Sequence, residues 1–351
     1  MKNKDNIYIL GAGFNQCIKG CGGVNPPLSK NFFSTILKSS RYLDEDYAYK
    51  FDSVFRYINK YWKIDLNRLK EDYLDVEECF TFLQLQIIEA IENKDKEVVY
   101  NLLKINNLLK IMFIEFLYGF QDYIKYSDTM KEFGKFVYNE KATVITFNYD
   151  CNLEKAIKCS TGVCVETPLI YDVFFNKTGN LNRLKNTKSE IDFRILKMHG
   201  SLNWFKKIYK ENNFQDQLGF KEEVILSSEE WWIKYLDSSK EKYLLDPIII
   251  PPVLYKNYNQ KPIKEIWNSS RKKLTECKNL VIIGYSLSFT DFACKKLLLE
   301  AFKENKLNKL VVVNPNGNLL LDFKKATHYN MPITVCSNLE EFIENKDSVL
   351  G

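Results

Sequence analysis

Residues 6–15 read NIYILGAGFN, in which a short apolar run gives way to two glycines. The run ends at Leu10 and the tripeptide GAG follows at once, which is typical of a first β-strand that turns into a phosphate-facing loop. The full dinucleotide fingerprint GxGxxG is not completed, because Gln16 stands in place of its third glycine. The stretch therefore predicts the start of a nucleotide-binding fold and gives less support to an ordinary dehydrogenase.

Four later segments share the short, apolar or β-branched character of this first strand: TVITF (143–147), FRILKM (193–198), LVII (280–283) and KLVVV (309–313). Helical periodicity intervenes at 263–277 and 290–306. Such alternation is typical of a parallel sheet with helices on both faces. The predicted fold class is therefore α/β, with a Rossmann-like, doubly wound and mostly parallel sheet. Residues 206–245 show no clear period, and we expect an irregular or mixed segment there.

A helical pattern replaces this alternation between residues 41 and 140. In DVEECFTFLQLQIIEAIEN (75–93), apolar residues recur at spacings of three and four, and the pattern continues through 101–120. Charged residues interrupt the most apolar part of it, so we expect a buried helix rather than a membrane span. We predict that 1–40 and 141–351 form the Rossmann-like domain and that 41–140 is an inserted helical subdomain.

The composition argues against several classes of protein. The 351 residues include 50 basic and 45 acidic ones, spread without a block of like charge, so nucleic acid is not implied as a partner. The N-terminus lacks the apolar core and cleavage site of a signal peptide, so we expect a cytoplasmic protein with no membrane partner. Nine cysteines without CxxC spacing suit free thiols in a reducing compartment, and we expect no zinc site.

Polar residues and glycines follow the predicted strands, and ligands of a doubly wound sheet bind beyond the carboxyl ends of its strands. The candidate binding residues are Gly11, Ala12, Gly13, Phe14, Asn15, Gly284, Ser286 and Asn314, and the candidate catalytic residues are Asn148, Asp150 and His199. Glycines let backbone amides approach a pyrophosphate. An amide positions water or a ribose hydroxyl, a carboxylate balances a developing cation, and an imidazole acts as a base.

Each of these features also has a purely structural interpretation. Asn148 and Asp150 precede a predicted helix, where both residue types commonly act as caps. His199, one of two histidines in the chain, is equally consistent with a histidine that is hydrogen-bonded in the core. The loops after the last two strands are ordinary turns on the same view. Five polar strand ends in one sheet nevertheless favour a shared ligand site.

The strand-end motifs, taken in order, resemble those of the sirtuin-type, or SIR2-like, NAD-binding family, and more closely those of its bacterial antiphage-defence branch. The motifs that carry the resemblance are GAGFN (11–15), TFNYD (146–150), KMHGS (197–201), IIGYSL (282–287) and VVVNP (311–315). Three further stretches are similar to the bacterial branch: DVEECFTFL (75–83), IIIPPVLYKNY (248–258) and IWNSSRKKL (266–274). The resemblance runs from about residue 6 to residue 316.

The resemblance implies a role for each matching position. The GAG motif matches the phosphate loop of the family, although Asn15 stands where the family usually has serine. Asn148 matches the asparagine at the reacting ribose, Asp150 the acid near the nicotinamide pocket, and His199 the histidine that acts as a base or orients the ribose. The positions that match the adenosine half of NAD are Gly284, Ser286 and Asn314.

Two departures from the family favour one of its activities. The zinc-binding cysteines of the protein deacylases are missing, and Asn148 lies farther from His199 in the sequence than in those enzymes. The resemblance therefore implies an NAD+ glycohydrolase, with NAD+ as its substrate and water as acceptor, that serves antiphage defence by depleting NAD+. The alternatives are an NAD-dependent protein deacylase and a catalytically silent module that senses NAD or ADP-ribose. The resemblance also implies a homo-oligomer and a defence partner such as an ATPase, for which 41–140 is the candidate surface.

Overall fold

The structure of the chain is a computed structural model that describes residues 6–20, 23–39, 45–71, 74–172, 177–178, 193–209, 224–226, 243–253, 256–259, 262–287, 291–304, 307–316, 324 and 332–351. Contacts divide the chain into an α/β unit, formed by Met1–Cys17, Ile124–Ile249 and Tyr258–Gly351, and a helical unit, formed by Ile18–Tyr123 and Ile250–Asn257. The domain boundaries predicted from the sequence, near residues 40 and 140, stay a prediction.

The described residues include ten strands and eleven α-helices. The strands are β1 (Asn6–Leu10), β2 (Thr143–Thr146), β3 (Lys177–Thr178), β4 (Arg194–Lys197), β5 (Gly200–Tyr209), β6 (Val224–Leu226), β7 (Tyr243–Ile249), β8 (Asn279–Ile283), β9 (Lys309–Val313) and β10 (Ile333–Cys336). The helices are α1 (Phe32–Lys38), α2 (Glu45–Trp62), α3 (Leu66–Glu71), α4 (Val76–Glu92), α5 (Lys96–Gly119), α6 (Asp128–Asn139), α7 (Asn152–Thr161), α8 (Pro168–Tyr171), α9 (Ile263–Glu276), α10 (Phe292–Glu304) and α11 (Leu339–Leu350).

Six of the strands form one parallel sheet in the order β4-β2-β1-β8-β9-β10. Counted along the chain among these six, the order is 3-2-1-4-5-6, the doubly wound arrangement in which the direction of strand addition reverses beside the first strand. The predicted fold class is thus confirmed. β10 is a strand that the sequence pattern did not predict, because two of its four residues are exposed and it lacks a continuous apolar run.

A second sheet has four strands in the order β3-β6-β5-β7, with β5 antiparallel to both β6 and β7. It takes in parts of 206–245, for which we expected an irregular or mixed segment. β5 begins at Gly200, directly after His199, so only two residues separate the end of β4 in the first sheet from the start of β5 in the second. His199 therefore lies in the short turn that joins the two sheets.

Helices flank the parallel sheet and bury its apolar side chains. Tyr8 on β1 meets the rings of Phe133 and Phe136 on α6 and of Phe342 on α11 at centroid distances of 5.8, 6.0 and 6.4 Å. On α9, the Trp267 indole N–H donates to the backbone carbonyl of Met198, 2.9 Å away. That bond ties α9 to the residue immediately before His199.

The helical unit contains α1 to α5 and has an aromatic core. The Phe32 ring lies 5.3 Å from Phe113 and 6.0 Å from Phe116, both on α5. Carboxylates cap two of its three long helices, because Asp75 accepts from a backbone N–H of α4 and Asp95 from one of α5. Among the described helices, none combines the length and apolar character that crossing a membrane requires.

The turn after His199 requires glycine. Gly200 has φ +84°, and a Cβ at this position would lie 2.0 Å from the carbonyl oxygen of Ile248 on β7. The backbone that approaches Gly200 closely is thus a neighbouring strand of the second sheet. A side chain is excluded both by the left-handed backbone and by β7.

We expect Gly200→Ala to destabilise the protein more than Gly162→Ala. Both glycines have positive φ, but a Cβ at Gly162 would meet open space. The left-handed conformation costs a side chain about 1–2 kcal/mol, and overpacking against β7 adds about 1–3 kcal/mol at Gly200 alone. Urea unfolding of the two variants measures the difference. Equal losses in the free energy of unfolding would contradict the close contact with Ile248.

A buried ion pair joins β4 to α7. The Lys197 ammonium lies 3.1 Å from the Glu154 carboxylate, and both side chains are 1% exposed. Lys197 also donates to the backbone carbonyl of Asp150, and the Tyr171 hydroxyl donates to Glu154 across 3.0 Å. Burial alone lowers the pKa of Lys197, but the Glu154 carboxylate opposes it and the pKa is raised overall. The ammonium is therefore charged at neutral pH.

We expect Lys197→Met to lower the free energy of unfolding by about 3–5 kcal/mol, because it leaves the Glu154 carboxylate buried without its cation. The double variant Lys197→Met/Glu154→Leu recovers most of that loss, since it removes both charges. Chemical denaturation measures the three proteins. The matched control is Lys131→Met, which removes the cation of an ion pair whose Asp128 side chain is 94% exposed and costs at most about 1 kcal/mol. A loss at Lys197 as small as that of the control would show that the buried pair is not stabilising.

Candidate functional site

The loops that follow β1 and β8 lie in direct backbone contact. Gly11 donates its N–H to the carbonyl of Ile283 across 3.0 Å, and Gly13 donates to the carbonyl of Gly284 across 2.8 Å. A Cβ at Gly13 would lie 2.8 Å from the Gly284 Cα, and Gly284 itself has φ +59°. These glycines are therefore needed for the two loops to approach each other at the point where strand order reverses, which is the ligand crevice of a doubly wound sheet.

Asn148 connects the loop after β2 to the loop after β1. Its side-chain amide donates to the carbonyl of Gly11 across 2.9 Å, and its backbone N–H donates to the Thr146 hydroxyl across 3.1 Å. The residue is buried. The amide is therefore fixed beside the first glycine of the β1 loop, at the carboxyl edge of the sheet.

Asp150 is engaged on both carboxylate oxygens. The Asn15 side-chain amide donates to one of them across 2.7 Å, and the backbone N–H of Asn152 donates to the other across 3.0 Å. The Asn152 side chain in turn donates to the Asn15 amide oxygen across 3.0 Å. Asn152 is the first residue of α7, so Asp150 makes the helix-start hydrogen bond that its structural interpretation predicts, and it also holds Asn15.

His199 is buried in the turn between β4 and β5, with 3% of its surface exposed. Its Nε2 lies 3.7 Å from a carboxylate oxygen of Asp291, the residue before α10. Three aromatic rings surround the imidazole, with centroid distances of 5.2 Å to Phe147, 5.8 Å to Tyr149 and 6.3 Å to Tyr258. The histidine therefore lies beside a carboxylate and in contact with three aromatic rings.

Tyr285 links Asp291 to the rest of the site. Its hydroxyl donates to the second carboxylate oxygen of Asp291 across 3.1 Å, and its ring stacks on Phe147 at 4.7 Å. Burial raises the pKa of the Tyr285 phenol well above its usual value. The phenol therefore stays protonated at neutral pH and remains a hydrogen-bond donor.

The predicted site residues are brought together in part. Asn15 meets Asp150, Asn148 meets Gly11, and Gly284 meets Gly13, while Ala12 and Phe14 belong to the short 3-10 turn of Ala12–Cys17. Ser286 is exposed after β8. Asn314 follows β9, and its side chain accepts from the backbone N–H of Asn316 across 3.0 Å. His328, the other histidine, lies outside the described residues.

Sequence reasoning missed Lys197, Tyr285 and Asp291 as parts of the site. Lys197 ends a strand whose last three residues are buried and is itself 1% exposed, and a lysine next to buried apolar residues is a signal that it has a buried partner. Asp291 directly precedes a helix, so its sequence position is that of an ordinary cap. Only the fold brings its carboxylate to His199.

The cysteines that the structure describes are free thiols: Cys17, Cys79, Cys151, Cys159, Cys164, Cys277, Cys294 and Cys336. Burial raises the pKa of the Cys151 thiol, which lies 3.5 Å from the Ser201 hydroxyl beside the site. Within the described ranges, no group of three histidine, cysteine, aspartate or glutamate side chains is arranged to hold a metal ion.

Comparison with known proteins gives low-identity structural matches. A structure that addresses the mechanism and regulation of Sir2 enzymes is 12% identical to this chain, with a TM-score of 0.42. The alignment covers 99% of this chain and 94% of that one. A mutant Sir2 with a p53 peptide and NAD is 11% identical, with a TM-score of 0.40 and the same coverage. Sir2Tm bound to a propionylated peptide is 14% identical over 68% of this chain and 79% of its own, with a TM-score of 0.34. No curated protein matches the chain.

A comparison with protein families matches residues 142–328 to the SIR2-like domain. The match begins just before β2 and includes Asn148, Asp150 and His199, as well as the loops after β8 and β9. It covers more than half of the chain. The chain therefore belongs to the SIR2-like domain family.

Proposed function

We propose that this chain is an NAD+ glycohydrolase that cleaves NAD+ with water as acceptor and releases nicotinamide and ADP-ribose. The observation that carries the proposal is the placement of Asn148 and His199 within a SIR2-like domain. Both are buried, and they follow the adjacent strands β2 and β4 at the sheet edge where β1 ends in its glycine loop. The site thus offers an amide that can hold a ribose or a water and an imidazole that can accept a proton.

The reaction breaks the bond between the ribose C1′ and the nicotinamide nitrogen. The electron pair of that bond goes to the nicotinamide ring, which leaves as a neutral molecule, and positive charge develops on the ribosyl group. Water attacks C1′ and forms the new C–O bond. His199 takes the proton that water loses and passes it to solvent, so that NAD+ and water give nicotinamide, ADP-ribose and one proton.

The other site residues have supporting roles in this proposal. Asn148 positions the water or the ribose hydroxyls, and Asp150 fixes Asn15 and the start of α7 through the hydrogen bonds of its two oxygens. The β1 loop lies where the pyrophosphate binds in a doubly wound fold. The loops with Gly284, Ser286 and Asn314 follow β8 and β9, on the side of β1 that we assign to the adenosine half.

Water is the proposed acceptor because the sequence lacks the cysteine pairs with which the deacylases bind zinc. The rival proposals are an NAD-dependent protein deacylase and a binding module that senses NAD or ADP-ribose without turnover. A deacylase needs an acyl-lysine peptide for nicotinamide release. A sensor binds NAD+ and releases no nicotinamide at all.

A role in antiphage defence is part of the proposal and is supported by the similarity of the strand-end motifs to those of the bacterial branch. An unrestrained NAD+ hydrolase would harm its own cell, so we propose control through a homo-oligomer or a partner such as an ATPase. Apolar side chains are exposed at three-residue spacing on α4: Phe82, Leu85, Ile88 and Ile91. Exposed apolar groups of this kind are typical of protein contact surfaces and support a contact role for the helical segment.

We expect the wild-type protein to release nicotinamide and ADP-ribose from NAD+. His199→Ala lowers kcat by at least about 100-fold, since general base catalysis contributes about 10²–10⁴-fold. Asn148→Ala lowers kcat by about 100-fold, since misplacement of the reacting groups has a cost of that order. Product release is measured by chromatography over a range of protein concentrations. The matched control is Asn345→Ala, which removes an exposed amide on α11 and leaves turnover unchanged.

The same assay with an acylated peptide separates the rival functions. Nicotinamide release that rises severalfold with the peptide, together with deacylated product, would favour the deacylase. Binding of NAD+ by the wild type without product at any protein concentration would favour the sensor. Turnover that survives in His199→Ala would remove the histidine from the mechanism.

A further inference from the structure

We infer that Asp291 is a positioning residue that holds the His199 imidazole with its Nε2–H toward the Asp291 carboxylate, so that Nδ1 is the nitrogen that accepts the proton from water. The inference rests on the proposed NAD+ hydrolysis and adds to it a residue that lies outside all of the strand-end motifs.

The pair is buried and lies within ion-pair distance, but the separation is too long for a hydrogen bond in this structure. The Asp291 carboxylate oxygen lies 3.7 Å from the His199 Nε2, and the two residues are 7% and 3% exposed. A separation slightly longer than a hydrogen bond is common between catalytic groups before substrate binds and tightens in the complex. Burial strengthens the interaction, because the low dielectric of the interior weakens a charge much less than water does.

Asp150, the carboxylate that the sequence motif offers, is already committed elsewhere. One of its oxygens accepts from the Asn15 amide and the other from the backbone N–H of Asn152. Asp291 reaches the site from a different element, the start of α10, and presents its carboxylate to the imidazole edge. The structure therefore divides two tasks between two buried aspartates, with Asp150 holding the loops and Asp291 facing the histidine.

The Asp291 carboxylate is itself held in place. The Tyr285 hydroxyl donates to the oxygen that does not face His199, and the Tyr285 ring stacks on Phe147, which in turn contacts the imidazole edge to face at 5.2 Å. Rotation of the Asp291 carboxylate or of the Tyr285 ring would break a contact with another residue of this group. A fixed carboxylate beside one imidazole nitrogen selects the tautomer that carries its proton on that nitrogen.

The tautomer determines which nitrogen is the base. With the proton on Nε2, Nδ1 keeps its lone pair and takes one proton from the attacking water as the C–O bond to the ribose C1′ forms. The imidazolium that results lies beside the negatively charged Asp291, which stabilises it until Nδ1 returns the proton to solvent. Asp291 itself gains and loses no proton in this sequence, as in other carboxylate–histidine pairs.

The kinetic test compares Asp291→Asn with the wild type in the NAD+ assay. An asparagine of the same shape lacks the charge and offers Nε2 either a donor or an acceptor. We expect kcat to fall about tenfold or more, as part of the contribution of a general base, while KM for NAD+ stays within about twofold. Asp291→Glu restores part of kcat. The control is Asp347→Asn, which changes an exposed carboxylate on α11 and leaves both constants unchanged.

The second test reads the tautomer directly and does not require turnover. The chain has two histidines, so protein labelled with 15N-histidine gives two imidazole systems, and His328→Gln assigns them. At a pH of about 8.5, above the usual imidazole pKa of about 6.5, we expect the His199 ring of the wild type to be protonated on Nε2. In Asp291→Asn the ring shifts toward the other tautomer or a mixture of the two.

The two measurements separate this inference from the proposed function. Unchanged His199 ring signals in Asp291→Asn, or an unchanged kcat in an active enzyme, would overturn the inference. A wild-type protein without NAD+ turnover would overturn the proposed hydrolysis, while the ring signals would still decide whether Asp291 sets the tautomer. A rise in KM with kcat unchanged would assign Asp291 to substrate binding and would also overturn its positioning role.

Discussion

The loops after β1 and β8 approach each other so closely that neither has room for a side chain at the contact. Gly13 donates to the carbonyl of Gly284 across 2.8 Å, and a Cβ on either glycine would come within 3 Å of backbone atoms in the other loop. Parallel strands deliver these loops side by side, so the contact follows from the strand order β2-β1-β8. It places Tyr285 against Phe147 and thereby brings Asp291 to the site edge.

Different interactions hold the loops on the two sides of β1 in place. On the side of β2 and β4, hydrogen bonds and a buried ion pair fix the loops, since Asn148, Asp150 and Lys197 all bond to groups outside their own strands. Buried polar networks of this kind are directional and specify one arrangement when every member is satisfied. On the side of β8, backbone hydrogen bonds between glycines join the loops, and the Tyr285 ring stacks on Phe147. His199 contacts both sides, because Phe147 follows β2 and Asp291 lies beyond β8.

The parts of the fold that sequence reasoning predicted are those with a continuous apolar pattern. Strands of the parallel sheet are buried on both faces, so β1, β2, β4, β8 and β9 are recognisable in the sequence as short apolar runs. The residues that follow these strands could be predicted as site residues, because a doubly wound sheet binds its ligand beyond the carboxyl ends of its strands. The longest strand of the second sheet, β5, mixes polar and apolar residues (GSLNWFKKIY), and β10 has two exposed positions. Asp291 could not be recognised, because an aspartate before a helix has an ordinary structural role and its approach to His199 depends on tertiary structure alone.

The proton balance of NAD+ cleavage explains why one histidine suffices for the proposed reaction. Nicotinamide leaves as a neutral molecule, so the site needs a base for water but no acid for the leaving group. Burial holds the pKa of Tyr258, Tyr285 and Cys151 above their usual values, and Lys197 keeps its proton beside Glu154, so these groups are protonated at neutral pH and do not act as bases. Histidine is the side chain that exchanges a proton near neutral pH. In the proposed reaction, His199 beside the Asp291 carboxylate is therefore the group that takes the proton from water.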